Sequence, residues 1–401
     1  MLLLSQIRDA YEGQQEELRK KNLGIPRQLI RSYEIGSHIE VITGVRRCGK
    51  STLLKQIAEK TDAKYLYFNF EDSRVFGFQV SDFQKLLRVS VPDAHTFFFD
   101  EIQNVPGWEI FIRSLHDQKR KVFITGSNAS LLSRELGTRL TGRYLNRELF
   151  PFSYREFLVL KGLSSSVEAF QQYLEKGGFP EYLEQESIEI LQQLFKDILY
   201  RDIAVRYGIR NVKPLIEIAL FLVSNIGKEY SLNRIRKIFG IGSANSVSDY
   251  VNWFEDSYLF FSVPRFSWSV RSVMVSPRKI YTIDTAFARS NSLSFLHDTD
   301  RLFENCVFLH LCRHGRAISY FRQKYECDFI VRQPAAPAMV LQACSDLNPD
   351  NKDREINGLL EAMDFINHRE GFIVTLDQED EFSAGDRKIR VVPAWKWLES
   401  F

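Results

Sequence analysis

Short runs of apolar residues alternate with helical patterns through the first part of the chain. The apolar runs predict strands at 38–43, 65–70, 96–100, 121–125 and 144–149. Between them, apolar residues recur at helical spacing in the segments 50–60, 82–89 and 108–116. Strands that are apolar along their whole length and alternate with helices form parallel sheets with both faces covered. The fold class predicted for this part is therefore α/β.

The pattern changes after Pro151. It is helical from about residue 153 to 210, and three further helical patterns and a hairpin follow up to 275. From 276 onward, strands and helices alternate again. We therefore predict four regions: a parallel-sheet domain at 1–160, a helical connector at 161–210, a domain that resembles a winged helix at 211–275, and a mixed α/β domain at 276–401.

Composition and charge exclude several classes of protein. Of 401 residues, 44% are hydrophobic and 26% charged, and the net charge of +2 does not mark the whole chain as a nucleic-acid binder. The five cysteines include no C-x-x-C pair, which is unlike a disulfide framework or a zinc ribbon. The sequence also lacks the long apolar stretch of a signal peptide or a membrane span. We expect a cytoplasmic protein that does not bind membranes.

Residues Gly44 to Ser51 follow the pattern G-x-x-x-x-G-K-[ST], between a predicted strand and a predicted helix. Glycines allow the backbone N–H groups of such a loop to face phosphate oxygens, and the helix adds the positive end of its dipole. In this pattern Lys50 contacts the β- and γ-phosphates of ATP, and Ser51 binds Mg²⁺. The predicted nucleotide-binding set is Gly44, Val45, Arg46, Arg47, Cys48, Gly49, Lys50, Ser51 and Thr52.

An apolar strand that ends in two carboxylates, at residues 97–101, supplies the second half of a nucleotide site. A carboxylate at the position of Asp100 holds Mg²⁺, with water as the intermediary. Glu101 is placed to act as the general base that polarises the attacking water. Alone, the pair would indicate an acidic turn after a core strand. The phosphate-binding loop upstream favours the catalytic interpretation.

The next predicted strand ends in Gly126, Ser127 and Asn128, and two roles for this polar end stay open. Asn128 could position water near the γ-phosphate, and Ser127 or Asn128 could equally cap the helix that follows. Arg139 and Arg143 come next in a loop. Arginine is the usual residue for stabilising charge on a transferring phosphoryl group, whereas a solvated surface arginine is the alternative for each.

Four segments resemble the prokaryotic AAA+ ATPases that are often described only as predicted ATP-binding proteins: GVRRCGKSTLL, FFFDEIQN, FITGSNASLL and LTGRYLNRELFPFSYREF. The resemblance covers roughly residues 20–160, and its four motifs occur in the expected order. It implies an AAA+ core with the Walker A motif at 44–51 and the Walker B motif at 100–101. It also implies a sensor at Asn128 and a finger or sensor arginine at Arg139 or Arg143. The companion C-terminal domain of this family has no assigned function.

Residues 213–275 resemble a winged helix. The sequence predicts helices at 214–225, 231–239 and 243–255 and a wing formed by strands at 259–263 and 267–275. The third helix of a helix-turn-helix enters the major groove of DNA. Here its exposed face is polar and acidic, with Asn245, Ser246, Ser248 and Asp249, and with Glu255 and Asp256 at its end. The basic residues lie on the second helix and near the wing: Arg234, Arg236, Lys237, Arg265 and Arg271. Contact with DNA phosphates and packing against a protein both stay open.

The last region resembles the domain that usually follows the ATPase in this family, a divergent relative of restriction-endonuclease-like folds. That fold uses one acid on a helix, one on a strand, and E-x-K on the next strand, to hold a metal ion and activate water. Glu304 and Asp328 fit the first two places, whereas Gln342 and Cys344 stand in the third. We predict that this domain does not cut DNA. Two lysines nearby in sequence are candidates for the missing ammonium: Lys324 and Lys352.

The sequence as a whole predicts an ATP-hydrolysing AAA+ protein whose nucleotide state is coupled to its other domains and to a DNA or protein partner. The expected cofactors are ATP and Mg²⁺, and a homo-oligomer is compatible with the family. Two alternatives stay open: a metal-dependent nuclease gated by ATP, and a nucleotide-dependent binding module with negligible turnover. Glu101 argues against the second alternative, because it stands where a catalytic base is expected.

Overall fold

The structure is a computed structural model that describes residues 1–20, 23–29, 36–61, 64–127, 140–293, 299–315, 317–332 and 338–399. The chain divides into two units, residues 1–150 and 151–401. Among the described residues, every helix falls short of the length and apolar character that crossing a membrane requires.

Strands and helices alternate along the first unit. Its helices are α1 (Leu4–Lys20), α2 (Lys50–Glu59), α3 (Phe83–Val89) and α4 (Trp108–Asp117). Its strands are β1 (Ile39–Thr43), β2 (Tyr65–Asn69), β3 (Thr96–Asp100), β4 (Lys121–Gly126) and β5 (Tyr144–Glu148). Within the described residues of this unit, these strands form one parallel sheet in the order β2-β3-β4-β1-β5. The predicted parallel α/β fold is confirmed.

Aromatic side chains fill much of the core of the first unit. Every residue of β1 and β3 is buried, as expected for central strands of a covered parallel sheet. The rings of Phe83 and Phe111 stack at 4.0 Å, and those of Phe98 and Phe123 stack at 4.9 Å. Large buried rings contribute strongly to packing, so the sheet offers a rigid base for the loops at its edge.

The strand order brings three loops to one edge of this sheet. In the sheet, β4 lies between β1 and β3, and all three strands run in the same direction. The loop 44–49 after β1, the residues that follow β3, and Ser127 after β4 therefore lie at the carboxyl ends of neighbouring strands. Ligands of parallel α/β sheets bind at this edge.

The second unit begins with helices. Its helices are α5 (Tyr154–Lys161), α6 (Val167–Lys176), α7 (Pro180–Gln185), α8 (Ile188–Asp197) with a π-helical segment Ile198–Val205 after it, α9 (Lys213–Val223), α10 (Leu232–Ile238), α11 (Ala244–Asp256), α12 (Val270–Val275), α13 (Thr285–Asn291), α14 (Thr299–Arg313), α15 (Lys352–Ile366) and α16 (Ala394–Trp397).

Two sheets complete the second unit. Their strands are β6 (Glu229–Tyr230), β7 (Phe260–Pro264), β8 (Arg278–Thr282), β9 (Ala317–Arg322), β10 (Glu326–Arg332), β11 (Met339–Ala343), β12 (Glu370–Thr375), β13 (Asp380–Ala384) and β14 (Arg387–Pro393). Within the described residues, one sheet has the order β6-β8-β7, and the other, which is mixed, has the order β13-β14-β12-β11-β10-β9. The predicted mixed α/β architecture at the C-terminus is confirmed.

The predicted wing needs a correction. Its second strand was expected at 267–275, but the structure has helix α12 there, and the strand that pairs with β7 is β8. Ser269 explains the difference locally, because its side chain accepts a hydrogen bond from the backbone N–H of Ser272 and caps the helix. Ser231 and Ser243 cap α10 and α11, at the first residues of the helices predicted at 231–239 and 243–255.

Two predicted region borders fall inside packed structure. The border near 160 lies within α5, whose Tyr154 ring contacts Phe170 and Tyr173 of α6 in the second unit. The first unit therefore ends earlier, at Phe150. The border at 275 separates β7 from β8, although the two strands pair along their whole length. Ring packing at the first border and strand pairing at the second join the residues on the two sides, and composition did not mark either contact.

Candidate functional site

The phosphate-binding loop leaves β1 and enters α2. Two of its glycines have backbone conformations that L side chains rarely adopt, with φ of +152° at Gly44 and +101° at Gly49. A β-carbon at Gly44 would also lie 2.1 Å from the carbonyl oxygen of Leu149. The shape of the loop therefore requires glycine at both positions, as the sequence pattern indicates.

The amino end of α2 is open to an anion. Among the described residues, no side chain caps the helix at Gly49, so its first N–H groups are not satisfied by a cap. Ser51 and Thr52 lie in the first turn and are half-buried. The side chains of Val45 and Cys48 face the interior. The loop thus presents backbone N–H groups at the edge of the sheet where the first turn of α2 presents the hydroxyl-bearing residues Ser51 and Thr52.

Lys50 lies in the middle of this loop. Its Nζ donates to the carbonyl oxygens of Gly44 and Val45, each at 3.1 Å. The same Nζ lies 3.8 Å from Oε1 of Glu101, and only 4% of the lysine side chain is exposed. Because the ammonium is buried and pairs with the carboxylate of Glu101 only at 3.8 Å, it gives the loop a strongly positive electrostatic potential.

Asp100 is fully buried at the end of β3. Its Oδ2 accepts a hydrogen bond from the hydroxyl of Tyr67 at 3.1 Å, and its Oδ1 accepts one from the hydroxyl of Thr125. Burial, followed by the charge of Asp100, raises the pKa of Tyr67 well above its usual value, so the tyrosine stays protonated and keeps donating. The carboxylate is held in one orientation at the edge where the loop lies.

Glu101 has a left-handed backbone conformation, with φ of 51°. Such a conformation is uncommon for a residue other than glycine and is typical of functional sites. Its side chain is 13% exposed, and its Oε2 accepts a hydrogen bond from Nε2 of Gln103. Burial raises the pKa of the Glu101 carboxyl, whereas the nearby Lys50 ammonium opposes the rise. A raised carboxyl pKa suits a group that must accept a proton.

Thr125 holds the two carboxylate residues together, and the sequence did not single it out. Its hydroxyl donates to Oδ1 of Asp100 and accepts the backbone N–H of Glu101 at 2.9 Å. The side chain is completely buried. Thr125 is therefore a positioning residue, because it fixes the orientation of Asp100 and the unusual backbone of Glu101 at once.

We expect Thr125→Val to lower kcat for ATP hydrolysis about tenfold and to leave the Kd for ATP unchanged. The valine has the same shape but leaves the N–H of Glu101 without its acceptor, a loss of about 1–1.5 kcal/mol in the placement of the base. The measurement is phosphate release alongside equilibrium binding of ATP. Thr125→Ser, which keeps the hydroxyl, should restore most of the rate; equal rates for valine and serine variants would contradict the assignment.

Arg27 is a second residue that the motifs did not reveal. Its guanidinium is 3% exposed, and it donates to the carbonyl oxygens of Cys48 and Phe150, both at 2.6 Å. Gln56 of α2 fixes this segment by accepting the N–H of Arg27 and donating to the carbonyl oxygens of Leu23 and Ile25. The arginine therefore ties the phosphate-binding loop to the last residue of the first unit.

The remaining predicted site residues of the first unit lie elsewhere. Arg143 precedes β5, whose first residue pairs with the first residue of β1, so it lies at the opposite edge of the sheet from the loop. Its Nη1 donates to Asp117 at 2.8 Å. This position does not favour a sensor role for Arg143 at its own subunit's nucleotide, and its action on a neighbouring subunit stays a prediction. Asn128 and Arg139 lie outside the described residues.

In the second unit, the structure brings Glu304 and Asp328 together, as the nuclease-like pattern predicts. A third side chain, Lys279 of β8, lies between them. The amide of Gln342 is engaged in structural hydrogen bonds: its Oε1 accepts the backbone N–H of Asp328, and its Nε2 donates to Glu355. Of the two candidate lysines, Lys324 lines the neighbouring cavity and Lys352 lies over the ring of Phe382 at 4.2 Å.

The described residues of the first unit fit a nucleoside triphosphate with Mg²⁺. The glycine conformations, the absence of side-chain volume beside Leu149 and the open end of α2 together form a cradle for phosphates. Ser51 and the buried carboxylate of Asp100 are oxygen donors of the kind that Mg²⁺ prefers. Lys50 supplies the positive charge, so each part of the cradle has its own chemical role.

Known proteins match the chain along most of its length. The AAA domain family matches residues 36–158, and a domain of unknown function matches residues 167–296. The uncharacterized protein MJ1544 of Methanocaldococcus jannaschii is 34% identical over 90% of this chain and 88% of its own length. An uncharacterized protein of Haemophilus influenzae is 31% identical over 81% of this chain and 86% of its own length.

Among solved structures, the RuvB Holliday junction branch migration motor of Thermotoga maritima is 16% identical. The match covers 65% of this chain and 94% of that chain, with a TM-score of 0.30. A likeness this distant carries no argument about the activity of the chain.

Proposed function

This chain belongs to the family that includes the M. jannaschii and H. influenzae relatives and that carries an AAA domain, and from this premise we propose that it is an AAA+ ATPase. The observation that carries the proposal is the meeting of three groups at one sheet edge: the glycine-shaped loop, the buried Lys50, and the Asp100–Glu101 pair. Together they supply phosphate binding, metal ligands and a base.

Each group has a separate task in the proposed reaction. The loop N–H groups and Lys50 bind the phosphates and draw charge toward the β- and γ-positions. Ser51 and Asp100 would hold Mg²⁺, which supplies positive charge next to the phosphates when bound. Glu101 accepts a proton from water as that water attacks, and Gln103 keeps its carboxylate oriented. Thr125 fixes the distance between the base and the metal ligand.

We further propose that the nucleotide state reaches the second unit through residues 149 and 150. The thiol of Cys48 donates to the carbonyl oxygen of Leu149 at 3.3 Å, and Arg27 bridges Cys48 and Phe150. The N–H of Leu149 donates to Thr43 at 2.7 Å, just before the loop. Because the loop is packed on the last residues of the first unit, a change in its shape must displace or strain them.

Charge favours a protein over DNA as the partner of the middle region. The element order α9-β6-α10-α11-β7-α12-β8, with β7 and β8 paired as a wing that carries a helix between its strands, and the strand order β6-β8-β7 support a winged helix. The exposed face of α11 carries Asn245 and Asp249 rather than basic residues, whereas a DNA-reading helix needs positive charge. Exposed cations lie on other elements of the region, among them Arg234 and Lys237 on α10, Arg271 on α12 and Arg278 on β8. Tight DNA binding that weakens steeply with salt would overturn this preference.

The experiment uses the purified full chain with ATP. We expect phosphate release, and slower backbone hydrogen exchange in the second unit when a non-hydrolysable ATP analogue is bound. Arg27→Met should remove most of the nucleotide effect on the second unit, because it cuts the link between Cys48 and Phe150. Arg19→Met, an exposed change on α1, is the control.

The possible outcomes separate the two parts of this proposal. Absence of phosphate release from protein that binds ATP would contradict hydrolysis and favour a binding module. Hydrolysis without any nucleotide-dependent exchange in the second unit would leave the ATPase intact and contradict the coupling.

A further inference from the structure

Three carboxylates in the wall of a cavity of about 780 Å³ in the second unit surround a buried lysine. The Nζ of Lys279 is 2.9 Å from Oε1 of Glu304, 2.7 Å from Oε1 of Glu326 and 2.9 Å from Oδ1 of Asp328. The lysine side chain is 2% exposed. The three carboxylates come from α14 and β10, whereas the lysine comes from β8, which belongs to the other sheet.

Two of the carboxylates are held in place by groups other than the lysine. The hydroxyl of Tyr281 donates to Oε1 of Glu304 at 2.5 Å. The backbone N–H of Ala343 donates to Oδ2 of Asp328 at 3.0 Å. Their orientation is therefore a property of the surrounding fold, and it does not depend on the ammonium alone.

We propose that the ammonium of Lys279 is a built-in cation that takes the place of a divalent metal ion between Glu304 and Asp328. The second unit then has no metal-dependent hydrolytic site at this position. This inference does not rest on the proposed ATPase function, because all of its residues lie in the second unit.

The ammonium occupies the space between the carboxylates. The three carboxylate oxygens lie 2.7–2.9 Å from Nζ, which is the usual length of a charge-assisted hydrogen bond from an ammonium to a carboxylate. Among the described residues, no group of three or more His, Cys, Asp or Glu side chains is arranged to hold a metal ion. The carboxylates are spread around the nitrogen, so a metal ion could bind only after the lysine leaves.

The same contacts exclude the catalytic role that a nuclease lysine plays. An ammonium has three N–H donors, and three carboxylate oxygens lie within hydrogen-bond distance of this one. No N–H of Lys279 therefore remains to orient water or to neutralise a phosphate. Burial opposes the charge of Lys279, but the carboxylates of Asp328 and Glu304 hold its pKa well above the usual value. The lysine stays charged and cannot act as a base.

The test measures Mn²⁺ binding by the full chain in the absence of nucleotide. All proteins carry Asp100→Asn, which removes the carboxylate that is proposed to hold a metal ion in the first unit. With Lys279 present, we expect no Mn²⁺ site that depends on Asp328. Lys279→Met should create one new site with a Kd on the order of 10⁻⁴ M, typical of sites with few carboxylates. Adding Asp328→Asn should weaken that site at least about tenfold.

Two arms of the experiment decide the outcome. Mn²⁺ binding that Asp328→Asn abolishes while Lys279 is present would overturn the proposal, because a metal ion would then share or take the site. A folded Lys279→Met protein that gains no site would overturn it as well. If three unpaired carboxylates prevent folding, Lys279→Met with Glu326→Gln removes one charge and keeps the two oriented carboxylates. Lys388→Met, at an exposed lysine paired with Glu381, is the matched control.

Discussion

Lys50→Ala should weaken ATP binding by at least about 10²-fold, because it removes a charged donor worth up to about 3 kcal/mol to the phosphates. The ammonium is 4% exposed and lies inside the loop, so water screens its charge poorly. In the structure it is held by the carbonyl oxygens of Gly44 and Val45, which place it at the centre of the cradle. The loop 44–49 contains no other lysine, and the second lysine of α2, Lys55, lies over the ring of Tyr67 at 5.5 Å.

Equilibrium binding of a fluorescent ATP analogue measures this effect directly. Lys50→Met is the companion variant, because it keeps most of the side-chain volume and removes the charge. Lys60→Ala, at the exposed end of α2, is the matched control and should bind as the parent does. Loss of binding in the control variant, or parental binding in both Lys50 variants with intact folding, would contradict the assigned role.

The features predicted correctly are those with local signals in the sequence. The strands of the first unit are apolar runs, and the loop is a fixed spacing of glycine, lysine and serine that physical chemistry ties to phosphate. Gly44 and Gly49 have the unusual φ values that this spacing implies. Glu304 was predicted on a helix and Asp328 on a strand, and both lie there, because the hydrophobic pattern of the sequence defines these two elements.

The features that the sequence did not reveal depend on contacts between distant segments. Thr125 is one polar residue in an apolar strand, and its role appears only when β4 lies beside β3. Arg27 meets Phe150 across 123 positions of chain. Lys279 of β8 meets Glu304 of helix α14 and Asp328 of the other sheet, so no local spacing relates the lysine to the two carboxylates. For Arg143 the motif predicted a place near the nucleotide. The register of β5 on β1 instead puts this arginine at the edge of the sheet opposite the phosphate-binding loop.

Glu101→Gln should slow ATP hydrolysis at least about 10²-fold and leave ATP binding intact, because a neutral amide cannot take a proton from water. The amide keeps the size of the carboxylate and still accepts hydrogen bonds. The substitution also removes the negative charge that lies 3.8 Å from the Nζ of Lys50. That charge competes with the phosphates of ATP for the ammonium. The affinity for ATP should therefore stay equal or increase, opposite to the effect of Lys50→Ala.

The pH dependence gives an independent check on the base. Burial, opposed by Lys50, raises the pKa of the Glu101 carboxyl above its ordinary value. Because the base must be ionised, kcat should rise with pH through a pKa above that of a free glutamate, and Glu101→Gln should lose this rise. A raised native pKa stabilises the fold at pH values below the unfolded pKa, and this contribution disappears as pH rises through the native pKa. The glutamine variant lacks this loss, so at neutral pH it should be at least as stable as the parent.

Phosphate release, ATP binding and thermal unfolding, each measured from about pH 5 to 9, separate the base from a merely structural residue; this range brackets the expected carboxyl titration. Glu59→Gln, an exposed change at the end of α2, is the matched control and should keep the parental rate and pH profile. A glutamine variant that hydrolyses ATP at the parental rate would show that another group accepts the proton. A variant that loses both hydrolysis and stability would point instead to the strained backbone at residue 101, which Thr125 holds through the N–H of Glu101.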